Sequence, residues 1–133
     1  MNTLPILPSP ITEASASAMN ALVLAFVGDA VYTLYMRGEL SLSSTAKAGE
    51  LHRRAAAEIN AGKQARNMEA LLPHLSEAET AVYKRARNSK TSRAAKNMDV
   101  IDYRKATGLE AVIGYLYLSG QDERLRELCQ IIK

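Results

Sequence analysis

The sequence predicts an all-α protein, and three observations predict it. Apolar residues recur at helical spacing, while no stretch alternates with period two convincingly. Glycine, proline and Ser/Thr/Asn cap residues punctuate the chain at helix-length intervals. Hydrophobic residues make up 47% of the 133 and are spread along the chain, enough for one domain with a buried core.

Residues 1–12, with Pro5, Pro8 and Pro10, read as a flexible arm. Residues 13–133 read as a single domain. Thr12 starts a helix that continues through Asn20 to about Met36 and stops at Gly38. Ser41 to Ser44 form a turn, and Ser44 caps a helix over Thr45 to Asn60 with Leu51, Ala55 and Ile59 on one stripe. Gly62 interrupts, and another helix runs from Lys63 to about Leu72, closed by Pro73. Ser76 and Glu79 have the spacing of a capping box opening a helix to about Arg87. Asn88 to Ile101 show no helical period and read as a long exposed loop. Tyr103 to Ser119 and Gln121 to Ile132 complete the set, separated by Gly120. The two most apolar helices, over Asn20–Met36 and Tyr103–Ser119, belong at the centre.

Several classes are disfavoured. The longest uninterrupted apolar run, Ala21 to Val27, is too short to span a bilayer, so no membrane partner is expected. The first positive side chain is Arg37, so no charged segment precedes an apolar one as in a secretory leader. One cysteine, Cys129, permits no internal disulfide and fits a reducing cytoplasm; it reads as a small packing residue. With only His52 and His74 beside it, a Cys/His zinc site is not expected.

The net charge of +3 is unevenly distributed. Residues 1–83 carry −2 and residues 106–133 carry −1, whereas residues 84–105 carry +6. That concentration suits a polyanionic partner. Candidate contacts to such a partner are Lys84, Arg85, Arg87, Asn88, Lys90, Arg93, Lys96, Asn97, Arg104 and Lys105.

The chemistry rests on two acids. Asp29 is the only charge in Asn20–Met36, and Glu110 the only one in Ala106–Leu118. Burying an unpaired carboxylate is costly, so each needs a counter-charge. On a helix Asp29 shares its face with Ala25, Phe26, Tyr32 and Thr33, and Glu110 with Ala106, Thr107, Ile113 and Gly114. Gly28 and Gly114 beside them let two helices cross closely. If they cross there, both carboxylates face one point, and a Mg²⁺ ion (Mn²⁺ as a substitute) is the hard cation that keeps both ionised. A metal beside a basic segment is equipment for hydrolysing a phosphodiester. The competing reading is that each acid is salt-bridged to an arginine or bonded to backbone.

These residues also resemble a known family. Leu24-Ala-Phe-Val-Gly-Asp-Ala-Val31 is similar to the signature helix of the ribonuclease III catalytic domain, and Thr107-Gly-Leu-Glu-Ala-Val-Ile-Gly-Tyr-Leu-Tyr-Leu118 to its second acidic helix. Leu51-His-Arg-Arg54, Arg85-Ala-Arg-Asn-Ser-Lys90 and Lys96-Asn-Met-Asp-Val100, followed by Tyr103-Arg104, resemble the branch lacking a double-stranded-RNA-binding domain. The resemblance covers roughly residues 20–128, and the chain is expected to end where that branch ends. It implies that Asp29 and Glu110 are the catalytic, metal-holding carboxylates. It also implies a homodimer with Phe26 as an interface knob. The implied substrate is double-stranded RNA, a stem of precursor 23S ribosomal RNA cut to 5′-phosphate and 3′-hydroxyl ends; a ribosomal protein as a further partner is left open.

Larger ribonucleases III carry further acids where this chain has Leu22, Ala25 and Thr107, which favours one tightly held ion with a second recruited through the phosphate. Without the second domain, affinity falls to the catalytic domain, and duplex RNA is read mainly by shape. Two other readings stand beside the endonuclease: a non-catalytic RNA-binding or ribosome-associated module that retains the fold, and a helical protein-interaction domain.

Overall fold

The structure, a computed structural model, describes residues 9–89 and 99–132. Seven α-helices account for most of them: α1 (Glu13–Ala18), α2 (Ala21–Leu42), α3 (Ala48–Glu58), α4 (Ala61–Leu71), α5 (Glu77–Asn88), α6 (Val100–Leu118) and α7 (Asp122–Ile131). A single 3-10 turn, Leu72–His74, follows α4, and there is no strand among the described residues. The all-α expectation holds.

The helix boundaries differ from expectation where side chains capture backbone donors. The first expected helix is two. Asn20 Oδ1 accepts from the N–H groups of Leu22 (2.8 Å) and Val23 (3.2 Å), which starts α2 afresh after α1. Gly38 does not stop α2, because it keeps negative φ and the helix runs on to Leu42. Ser44 does not cap α3: its Oγ accepts from Ala46 N and Arg54 Nη1, and the helix begins at Ala48. Asn60 divides α3 from α4. Its Nδ2 donates to the carbonyls of Ala56 and Ala57, while its Oδ1 accepts from Lys63 N, so Gly62 falls inside the first turn of α4. The Ser76/Glu79 capping box forms as expected. Of the expected loop over Asn88–Ile101, Asn88 belongs to α5 and Val100 and Ile101 to α6. Asp99 caps α6 at Val100, and residues 90–98 lie outside the described residues.

Gly120 ends α6 with φ +69°, placing Gly120 N on Tyr117 O and Gln121 N on Leu116 O. These are the two backbone bonds of a Schellman cap, which requires the left-handed residue that glycine supplies. Part of the expected N-terminal arm, residues 1–8, lies outside the description. The remainder runs beside this cap, with Ile11 N donating to Leu118 O at 3.0 Å.

α6 is the central rod. Every residue from Ala111 to Leu116 is buried, with α2, α4 and α5 packed around it, α3 against α2, and α7 over the C-terminal end. Gly108 lets the Tyr83 ring of α5 lie on α6; a Cβ there would stand 2.5 Å from Tyr83 Cε1. Cys129 is buried, as expected, and burial pushes its thiol up to about 11. By length and composition α2 is apolar enough to cross a membrane. Its apolar residues are divided, however, between a buried face (Leu24, Ala25, Tyr32, Met36) and an exposed stripe of Val23, Phe26 and Leu34.

α7 is anchored by charge. Glu79, 3% exposed, receives Arg124 Nε on Oε2 and Nη2 on Oε1, both at 2.9 Å, and Nη2 also donates to His74 O. Burial alone would raise the Glu79 pKa, but Arg124 and the Ser76 N–H outweigh it and hold the carboxyl below its ordinary 4.5. Arg124→Met is expected to cost about 2 kcal/mol at neutral pH. That is below the ~3–5 kcal/mol of a fully buried pair, because the guanidinium keeps some water. A lowered carboxylate pKa contributes stability that is lost as pH falls. Urea titrations should therefore show the two proteins converging below about pH 4.5.

Candidate active site

α2 and α6 cross at Gly28 and Gly114. A Cβ on Gly28 would lie 2.6 Å from the carbonyl carbon of Glu110 and 2.9 Å from Gly114 N; one on Gly114 would lie 2.9 Å from the carbonyl carbon of Leu24. Only glycine permits this approach, and the cost of about 1 kcal/mol per glycine relative to alanine is offset by the packing it allows. The crossing decides where the acids go. Asp29 follows Gly28 and Glu110 lies one turn before Gly114, so the crossing brings the two carboxyls close enough for the Asp29 charge to act on Glu110.

One expectation is corrected here. Glu110 is half-buried, but Asp29 is exposed. The reason is that α2 is apolar on two faces, so apolar neighbours in sequence do not bury Asp29.

Two like charges at this range resist simultaneous ionisation. Glu110 is pushed up to about 8, first by burial and then by the Asp29 carboxylate, with the Gln64 amide opposing the rise. Neither acid has a Lys, Arg or His partner within 4.0 Å among the described residues, so the reading in which an arginine neutralises each acid has no support there. No cluster of three or more Asp, Glu, His or Cys exists among the described residues either. A hard divalent ion that retains several waters suits such a sparse, oxygen-only donor pair, open to solvent on the Asp29 side.

The raised Glu110 pKa has a sign that can be tested. Without metal, the folded chain holds a proton that the unfolded chain releases near 4.5. Stability is then fully present below that value and falls as pH rises towards about 8. Thermal midpoints in chelator should decline over this range, and Glu110→Gln should abolish the decline.

Two functional candidates escaped the sequence. Gln64 and Asn67 on α4 are 5% and 7% exposed. Gln64 Nε2 donates to Glu110 Oε2 at 3.1 Å, and Asn67 Nδ2 donates to the Tyr32 hydroxyl at 2.8 Å. The available signal was periodicity: Gln64 stands in register with Met68 and Leu71, a polar residue on an apolar stripe.

The basic candidates divide into three groups. Lys84 and Arg104 are exposed, as is Asn88. Arg85 donates to Met19 O at 3.0 Å, Arg87 lies 5.4 Å over the Tyr83 ring and donates to Asn88 Oδ1, and Lys105 pairs with Glu69. Lys90, Arg93, Lys96 and Asn97 lie outside the described residues.

Comparison with known proteins places this geometry. The Ribonuclease III domain matches residues 22–121. A Mini-ribonuclease 3 from Brevibacillus brevis is 49% identical over 84% of this chain and 83% of its own, and one from Clostridium tetani is 40% identical over 91% and 81%. A crystal structure of a protein from Fusobacterium nucleatum superposes with a TM-score of 0.78 at 30% identity, covering 86% of this chain and 92% of that one. The chain belongs to the ribonuclease III family and is an endoribonuclease. Within the family, its similarity is to the Mini-ribonucleases 3. Membership decides against the non-catalytic module and the protein-interaction domain.

Proposed function

We propose that the chain is a Mg²⁺-dependent endonuclease of double-stranded RNA, with Mn²⁺ able to substitute, and that Asp29 and Glu110 hold the ion. The observation that carries this is the convergence of two carboxylates at the α2–α6 crossing with no cationic side chain beside them among the described residues. Asp29 and Glu110 would hold a divalent ion, whose chemistry there would be to activate a water and stabilise charge developing on the scissile phosphate. Glu110 accepts a hydrogen bond from Gln64, and Asp29 stands at the open side where a phosphate backbone can approach. The basic residues flanking the 90–98 segment hold the polymer, Lys84 and Arg104 being exposed and, among the described residues, without a side-chain partner.

The family acts on double-stranded RNA as a dimer. A homodimer through α2 is supported by its exposed apolar stripe, where Phe26 is 80% exposed. Two sites related by symmetry would each cut one strand, leaving 5′-phosphate and 3′-hydroxyl ends. A cytoplasmic precursor 23S ribosomal RNA stem, presented with a ribosomal protein, is the substrate we assign. Residues 1–12 act as an arm to the single catalytic domain formed by 13–133.

Purified protein should cleave generic duplex RNA with Mg²⁺ and fail in chelator; cleavage undiminished by chelator would overturn the proposal. Binding measured in chelator should weaken steeply with salt, by about 0.7–0.9 log units of affinity per log unit of salt for each phosphate contacted. Neutralising Lys84 and Arg104 together should flatten that slope by about 2.

A further inference from the structure

α4 touches both acid-bearing helices through buried amides one turn apart. Gln64 reaches Glu110 on α6, and Asn67 reaches Tyr32, which lies one turn beyond Asp29 on α2. Neither amide is a casual occupant. The rest of the inward face of α4 is apolar, with Ala65, Met68 and Leu71 all buried. A leucine or methionine at either position would continue that face, whereas a buried amide is costly unless bonded. The orientation of Gln64 is dictated by its partner: a carboxylate oxygen accepts, so only the NH₂ end of the amide can face it.

We propose that Gln64 is a positioning residue for the metal centre. By holding Oε2 of Glu110 it fixes the rotamer of a flexible carboxylate against Asp29. The Asn67–Tyr32 bond holds α4 to α2, so one helix sets both acids. Gln64 adds no charge and touches no substrate; it acts through Glu110. This inference rests on the assignment of Asp29 and Glu110 as the metal-holding pair.

The test uses the full chain and Mn²⁺ as the probe, with binding measured by calorimetry on wild type, Gln64→Met, Gln64→Asn and Asp29→Asn. Methionine keeps the shape of glutamine without the donor; asparagine keeps the donor but is one methylene too short. Outer-shell partners of metal ligands typically contribute 10–100-fold in affinity. Both Gln64 variants should therefore bind Mn²⁺ about 10–100-fold more weakly, and the Mn²⁺ concentration giving half-maximal cleavage should rise in parallel. Duplex RNA affinity in chelator should be unchanged, and so should the thermal midpoint of metal-free Gln64→Met, neither of which a general packing defect would spare. If Gln64→Met binds Mn²⁺ as wild type does while Asp29→Asn does not, the positioning role fails and the acid pair survives. If wild type itself binds no Mn²⁺, the acid-pair assignment fails, and this inference with it.

Discussion

Replacing Asp29 with asparagine should lower single-turnover cleavage of duplex RNA by about 10³-fold or more, with duplex binding in chelator unchanged. The two side chains are nearly the same size, and Asp29 is exposed, so no packing is lost. What goes is one of only two anionic donors at the α2–α6 crossing among the described residues. Loss of several kcal/mol of transition-state stabilisation corresponds to that factor, since about 1.4 kcal/mol is tenfold in rate. Folding should move the opposite way. Asp29 disfavours ionisation of the half-buried Glu110 in the metal-free chain, so the variant should melt at about the same temperature while Glu110 keeps its proton and at a higher one above about pH 8, where it loses it. A stable protein that binds but does not cut separates a chemical role from a structural one; activity within tenfold of wild type would remove Asp29 from the mechanism.

Gly28→Ala should be the most damaging single change to the fold. Alanine is the better helix former by about 1 kcal/mol, which would favour the substitution on an isolated helix. Here the added Cβ meets backbone of α6 on two sides, the Glu110 carbonyl group and Gly114 N, and backbone has no rotamer to move to. The rods must separate, and the contacts that line their crossing loosen together. A cost of about 4 kcal/mol or more is expected, at the extreme of single-residue effects. Gly38, on the same helix, is the contrast. A Cβ there meets nothing within 4 Å, so Gly38→Ala should gain up to about 1 kcal/mol. Thermal melts of the two variants should shift in opposite directions. Gly28→Ala should also lose cleavage even where it remains folded, because separating the rods carries Asp29 away from Glu110.

Much of the site is written locally in the chain. One acid in each of two apolar segments, each beside a glycine, marks the acids and the crossing point before any coordinates. The Ser76/Glu79 capping box and the helix end at Gly120 are equally legible, because caps and left-handed glycines act over three or four residues. Where local signals compete, tertiary structure decides. Asn20 and Asn60 break helices that periodicity joins, and Gly38 continues one that a glycine was expected to end.

Two features of the candidate site could not be derived from sequence order. The exposure of Asp29 depends on which face of α2 meets α6 and which remains open, and a helix apolar on both sides carries no periodic signal for that choice. The bonds made by Gln64 and Asn67 depend on a third helix laid across the first two, 46 residues from Glu110 and 35 from Tyr32 along the chain. A sequence displays which groups are costly to bury. Which distant groups satisfy them is settled only when packing brings the helices together.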